Sequence, residues 1–98
     1  MTIQTQKNGD SLAIALTGRL DTVTSPELEK VITGSLDGIK ALTLELEKLE
    51  YISSAGLRVL LQAQKLMNGK GTMKVLHPSE IVREVFDVTG FSDILDIE

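Results

Sequence analysis

The chain has 98 residues, no cysteine, one histidine and a formal net charge of −4. We expect one domain over residues 1–98, because a chain of this length can bury enough surface to fold without disulfides. The absence of cysteine excludes disulfides, thiolate zinc sites and cysteine nucleophiles, and a lone histidine excludes a multi-histidine metal site. We therefore expect no cofactor.

The charge balance also limits the partners. Fourteen acidic residues outnumber ten basic ones, and only three residues are aromatic. Such a surface repels phosphate backbones and offers little for base stacking, so we expect no nucleic-acid binding. No apolar run is long enough for a membrane span and the N-terminus lacks signal-peptide features. The chain is therefore expected to be cytoplasmic and to have no membrane partner.

The first predicted element is a β-hairpin. Residues 2–7 and 11–17 are strand-like segments separated by Asn8-Gly9, the strongest short hairpin signal. Alternation in the second segment directs its leucines and isoleucine to a buried face and Ala13 and Ala15 to the other. Small apolar side chains on that second face predict a covering layer there too. Gly18 then predicts the end of the strand.

The next segments alternate between helix and strand. Thr24-Ser25-Pro26-Glu27 predicts a helix start with a hydroxyl cap, followed by apolar residues at helical spacing up to Leu36. Residues 41–46 alternate as a strand, and residues 47–52 are predicted to be a connector. Residues 57–67 carry a wide apolar arc, which is typical of a central, buried helix.

The last third of the chain repeats this pattern. Residues 73–76 predict a short strand, His77-Pro78-Ser79-Glu80 predicts the start of a third helix, and residues 94–97 predict a final short strand. No acid stands beside His77 in the sequence, so we expect it to have a turn or capping role. The order ββαβαβαβ predicts an α/β fold with a mixed, mostly parallel sheet, an N-terminal β-hairpin and about three packed helices.

A functional site is expected where strand-to-helix loops converge, beyond the carboxyl ends of the parallel strands. Two loops, residues 18–26 and 47–56, meet this condition. Their polar and small residues, with one arginine in the helix that follows, form the candidate contact surface: Asp21, Thr22, Thr24, Ser25, Tyr51, Ser53, Ser54, Gly56 and Arg58.

Ser54 and Gly56 each allow two interpretations. Ser54 stands immediately before a long helix, where a hydroxyl caps backbone N–H groups and where the helix dipole stabilises an added phosphate by about 0.3–1 kcal/mol. Gly56 in the first turn costs about 1 kcal/mol relative to alanine. Either the close approach of a partner's backbone or tight packing of the helix on the sheet explains this glycine.

Residues 46–61, LEKLEYISSAGLRVLL, resemble the signature of STAS-domain anti-sigma factor antagonists. Three further segments match the same family in order: GRLD at 18–21 with SPEL at 25–28, PSEIVREVF at 78–86, and TGF at 89–91. The resemblance therefore extends over nearly the whole chain.

The resemblance implies a STAS-like fold and a partner-switching protein that is not an enzyme. Unphosphorylated, such a protein binds an anti-sigma factor that is also a serine kinase, and this frees the sigma factor. Phosphorylation of one serine breaks the complex, and a PP2C-type phosphatase restores it. The family's phosphorylated serine stands two residues before the glycine, which maps to Ser54, with Ser53 as the less favoured candidate. Asp21 resembles the family's acidic residue beside that serine.

The resemblance leaves one alternative open. The chain could instead be a STAS scaffold subunit of a transport or signalling complex, without control by phosphorylation. In either case we expect a monomer or a weak homodimer.

Overall fold

The computed structural model describes residues Met1–Glu98. It contains four strands, three α-helices and a 3₁₀ turn over Phe91–Asp93. In chain order these elements are β1 (Thr2–Asn8), β2 (Ser11–Leu20), α1 (Ser25–Ser35), β3 (Ala41–Ile52), α2 (Ser54–Met67), β4 (Thr72–Leu76) and α3 (Glu80–Thr89). The predicted order of strands and helices is confirmed, with the last predicted strand reduced to a single bridge between Ile97 and Val75.

The four strands form one sheet in the order β1-β2-β3-β4. β1 and β2 are antiparallel and turn at Asn8 and Ser11, with Gly9 at a φ of 63°. β2 with β3 and β3 with β4 are parallel. The mixed, mostly parallel sheet with an opening hairpin is therefore confirmed.

Two strands extend further than the sequence predicts. β2 continues past Gly18, which has a φ of 105°, and β3 includes the predicted connector over residues 47–52. Register shifts interrupt the pairing of β2 with β3 between Ala15 and Thr17 and again after Gly18. These irregularities change the spacing of buried side chains in β3 from two residues to three, which conceals the strand in the sequence.

The core lies between the helices and one face of the sheet. A single cluster of 23 buried apolar residues joins that face to all three helices. The opposite face carries exposed Ala13 and half-buried Ala15, paired with Thr43 and Glu45 of β3. The predicted second covering layer is therefore wrong, because polar neighbours on β3 keep this face compatible with water.

Helix α2 is the central helix, as predicted. Its buried side includes Leu57, Leu60 and Ala63, while Leu66 stays 43% exposed. None of the helices combines the length and the apolar character needed to cross a membrane.

Candidate functional site

Two loops meet at the carboxyl edge of the sheet, one after β2 and one between β3 and α2. β2 and β3 end opposite each other, with Leu20 beside Ile52. The backbone N–H of Ser53 donates a hydrogen bond to the carbonyl oxygen of Leu20 at 2.9 Å. This bond holds the start of α2 against the loop that begins at Asp21.

Ser53, and not Ser54, caps helix α2. Ser53 has extended backbone angles, and its hydroxyl accepts a hydrogen bond from the N–H of Gly56 at 3.4 Å. The prediction that Ser54 supplies the cap is wrong by one residue. Ser53 is half-buried, and its hydroxyl is engaged in this capping bond.

Ser54 is the first residue of the helix and is exposed. Its hydroxyl has no hydrogen-bond partner within the chain, in contrast to that of Ser53. At this position the free amides of the first helical turn and the positive end of the helix dipole favour a neighbouring anion. Ser54 is thus an accessible hydroxyl in a setting that stabilises negative charge.

Gly56 lets α2 approach the sheet. A Cβ atom on this residue would lie 2.8 Å from Cγ of Leu20 and 2.9 Å from Cγ1 of Ile52, closer than side chains tolerate. The structure therefore supports packing as the explanation for this glycine. Gly56 is buried and presents no surface to a partner in the free protein.

Asp21 and Thr24 hold the β2–α1 loop in one conformation. Oδ1 of Asp21 accepts hydrogen bonds from the backbone N–H groups of Val23 at 3.0 Å and Thr24 at 3.1 Å. Oγ1 of Thr24 accepts from the N–H of Asp21 at 2.9 Å and donates to the carbonyl oxygen of Arg19 at 2.8 Å. The predicted cap of α1 by this hydroxyl is wrong, because Thr24 makes no capping bond to the helix and bonds backwards into the loop.

These contacts also set the charge of Asp21. The hydrogen bond from the backbone N–H of Thr24 is the main cause that lowers the pKa of Asp21 below its ordinary value. Burial, the second largest cause, opposes this effect, while the N–H of Val23, the Thr24 hydroxyl and the charge of Arg19 also lower the pKa. Asp21 is therefore a stably ionised group at this edge.

Arg19 and Tyr51 form a second ordered pair beside Asp21. They are register partners on β2 and β3, and the guanidinium of Arg19 lies 4.3 Å from the centre of the Tyr51 ring. Nε of Arg19 is 4.0 Å from Oδ2 of Asp21. The sequence places Arg19 in the first loop but not among the contact residues, because the stacking depends on the strand pairing of a segment predicted to be a connector.

The remaining predicted residues divide into exposed and buried ones. Thr22 and Arg58 are exposed and border a cavity of about 230 Å³ between α1 and α2, whereas Ser25 is only 4% exposed. Val23, at the tip of the first loop, is 82% exposed, and the sequence analysis missed it. An apolar residue between two threonines in a loop is the signal that identifies it.

A separate hydrogen-bonded pair joins His77 to Glu45. His77 is engaged with Glu45, with 2.9 Å between Nδ1 and Oε2, so the expectation that no acid accompanies it is wrong. Its hydrogen bond with the Glu45 carboxylate, and the charges of Glu45, Glu47 and Glu98, raise the pKa of His77 above its ordinary value.

Comparisons with known proteins identify the family and the fold of the chain. The STAS domain family profile matches residues 2–98. Over 91 residues the chain is 37% identical to the anti-sigma factor antagonist BtrV of Bordetella bronchiseptica, covering 90% of this chain and 78% of that protein.

Two solved structures share the fold. The crystal structure of an anti-sigma factor antagonist from Mycobacterium paratuberculosis has a TM-score of 0.89 at 23% identity, covering 98% of this chain and 83% of that one. The phosphorylated form of the Bacillus cell fate determinant SpoIIAA has a TM-score of 0.78 at 20% identity, covering 99% and 91%. Because the family profile extends over almost the entire sequence, the chain belongs to the STAS domain family.

Proposed function

We propose that this chain is an anti-sigma factor antagonist whose binding is switched by phosphorylation of Ser54. In the unphosphorylated state it binds an anti-sigma factor that is also a serine kinase, and this frees the sigma factor. The kinase transfers a phosphate to Ser54 and the complex separates. A PP2C-type phosphatase removes the phosphate and restores binding. The chain acts as a binding protein, and its partners carry out the chemistry.

The observation that carries this proposal is the contrast between two adjacent serines. Ser54 is exposed and its hydroxyl has no partner in the chain, while Ser53 is half-buried and its hydroxyl accepts a hydrogen bond from the N–H of Gly56. A kinase needs access to the hydroxyl it modifies, so Ser54 is the preferred acceptor. The anti-sigma factor antagonists among the relatives support the choice of partner.

The proposed contact surface consists of the exposed and half-buried residues around Ser54. It includes an apolar tip at Val23, an ordered cation at Arg19 and an ionised acid at Asp21, so it combines the kinds of contact found at protein interfaces. The other members are Thr22, Thr24, Tyr51, Ser53, Ser54 and Arg58.

Phosphorylation would act on the complex more than on the fold. A phosphate adds about −1.5 to −2 charges, so the formal charge of the chain changes from −4 to about −6. The helix N-terminus accommodates that charge in the free protein. In the complex it would be an unmatched anion in the middle of the contact, which costs several kcal/mol, and each 1.4 kcal/mol is about tenfold in affinity.

Intact-mass measurement tests the acceptor assignment. The kinase partner is recovered by pull-down with this chain and incubated with ATP and the purified protein. We expect one phosphate on the wild type and on Ser53→Ala, and none on Ser54→Ala. A phosphate that persists on Ser54→Ala would refute the assignment, and recovery of transporter components instead of a kinase would favour the scaffold alternative.

A further inference from the structure

A separate group of side chains lies on the open face of the sheet. Glu45 and Glu47 project from β3, and His77 follows the end of β4. One ligand atom from each residue, two carboxylate oxygens and an imidazole nitrogen, lies within 4.8 Å of the other two. Glu45 precedes the end of β3 by seven residues, about 20 Å along a strand, so the group is distinct from the surface around Ser54.

The spacing of these atoms suits coordination to one ion. Nδ1 of His77 lies 3.1 Å from Oε1 and 2.9 Å from Oε2 of Glu45. Nitrogen and oxygen ligands bind zinc at about 2.1 Å in a tetrahedral arrangement, so two ligands of one ion are about 3.4 Å apart. An ion can therefore replace the proton between Nδ1 and the carboxylate if the two side chains move apart by about 0.5 Å.

A backbone hydrogen bond holds one of the ligand side chains in place. The N–H of Glu47 donates to Oε1 of Glu45 at 3.1 Å. The main chain of His77 is fixed separately, because its N–H donates to the backbone oxygen of Glu98 at 3.0 Å. A supporting bond to a ligand carboxylate orients it and raises metal affinity.

The charge and the donor types indicate which cations fit. Two carboxylates and a neutral imidazole carry a charge of −2, which matches a divalent ion. Neither ligand carboxylate forms an ion pair with a lysine or arginine, and Lys74 on β4 pairs with Glu98 at 3.5 Å. An imidazole nitrogen favours transition ions over Mg²⁺ and Ca²⁺, which prefer ligand sets made of oxygen.

We propose that Glu45, Glu47 and His77 bind one divalent transition-metal ion of the Zn²⁺ class, with Nδ1 as the imidazole ligand and water completing the coordination. The ion would link the middle of β3 to the turn between β4 and α3. Because it binds only the folded chain, it would raise the thermal transition of the protein.

Calorimetric titration of the metal-free chain with Zn²⁺ at a pH above the His77 pKa tests this proposal. We expect one ion per chain, no comparable binding of Mg²⁺, and a Zn²⁺ affinity at least about tenfold lower in Glu47→Gln and His77→Asn. Asparagine is chosen because His77 has a φ of 54°, which asparagine tolerates. Glu50→Gln, which removes the same charge from β3 outside the group, is the matched control and should bind Zn²⁺ like the wild type.

Nitrogen NMR gives a second readout that does not depend on a variant. Zn²⁺ should shift the Nδ1 resonance of His77 far more than that of Nε2. The absence of one-to-one binding up to about 1 mM Zn²⁺, or binding unchanged in both Glu47→Gln and folded His77→Asn, would overturn the proposal. A response confined to Nε2 would overturn the ligand assignment.

Discussion

The side chain of Leu20 lies directly beneath Gly56, with its Cγ 2.8 Å from the position that a Cβ on the glycine would occupy. This contact brings the first turn of α2 onto the ends of β2 and β3. It determines where Ser54 emerges at the surface, and it connects core packing to the proposed switch.

Gly56→Ala should therefore destabilise the protein although alanine is the better helix former. Alanine gains about 1 kcal/mol in helix propensity, but the added methyl forces shifts in Leu20 and Ile52 that cost about 1–3 kcal/mol. Gly34→Ala is the matched control, because no atom lies within 4 Å of its Cβ position in α1, and this change should stabilise. Urea unfolding measures both. Equal stabilisation by the two changes would contradict the packing account.

Replacing each of the two serines by alanine should show which hydroxyl caps helix α2 and stabilises the fold. Ser53→Ala removes the hydroxyl that caps the N–H of Gly56 and should lower the free energy of unfolding by about 1 kcal/mol. Ser54→Ala removes a hydroxyl with no partner in the chain and should change it by less than about 0.5 kcal/mol. Thermal or urea denaturation of the unphosphorylated variants compares them, and a larger loss in Ser54→Ala would reverse the assignment of the cap.

The pKa of Asp21 should depend on the hydrogen bonds that it accepts within the β2–α1 loop. Because its folded pKa is lowered, its contribution to stability is present above the unfolded pKa, near 3.9, and is lost as the pH falls through the folded value. NMR titration of the Asp21 carboxyl carbon should give a midpoint below 3.9. Thr24→Val should raise that midpoint. Thr33→Val removes a hydroxyl that donates to the carbonyl oxygen of Glu29 in α1, and it should leave the midpoint of Asp21 unchanged. An unshifted Asp21 midpoint in the wild type would contradict the hydrogen-bond account.

The pKa of His77 should be shifted upwards, opposite to the shift of Asp21. Its folded pKa is raised by the hydrogen bond to Glu45, so the pair stabilises the fold below the unfolded pKa, near 6.5, and loses this effect as the pH rises through the folded value. In metal-free buffer, NMR should give an imidazole midpoint above 6.5, and Glu45→Gln should lower it. A midpoint that does not respond to Glu45→Gln would show that the pair does not form in solution.

The order of strands and helices is predictable from this sequence because hydrophobic periodicity and turn residues act locally. The hairpin at Asn8-Gly9 and the buried helix α2 are examples. The extent of β3 is not predictable in this way, since its buried residues change spacing where the pairing with β2 shifts register. Local sequence also suggests a second layer over Ala13 and Ala15, whereas the polar partners that prevent one lie on β3.

The site shows the same division between local and long-range causes. Ser54 and Asp21 enter the predicted contact surface because each stands at a strand-to-helix junction. The stacking of Arg19 on Tyr51 and the pairing of His77 with Glu45 both join residues more than thirty positions apart. Such contacts follow from the strand register, which a single sequence does not specify.

The affinity of the phosphorylated chain for the anti-sigma factor decides whether Ser54 acts as a switch. Calorimetry should compare the wild type with the same protein phosphorylated at Ser54, using the anti-sigma factor recovered by pull-down, while the thermal transition of each form is recorded alone. We expect binding to be at least about tenfold weaker after phosphorylation, with the fold intact and the thermal transition nearly unchanged. Equal affinity of the two forms would contradict the proposed switch.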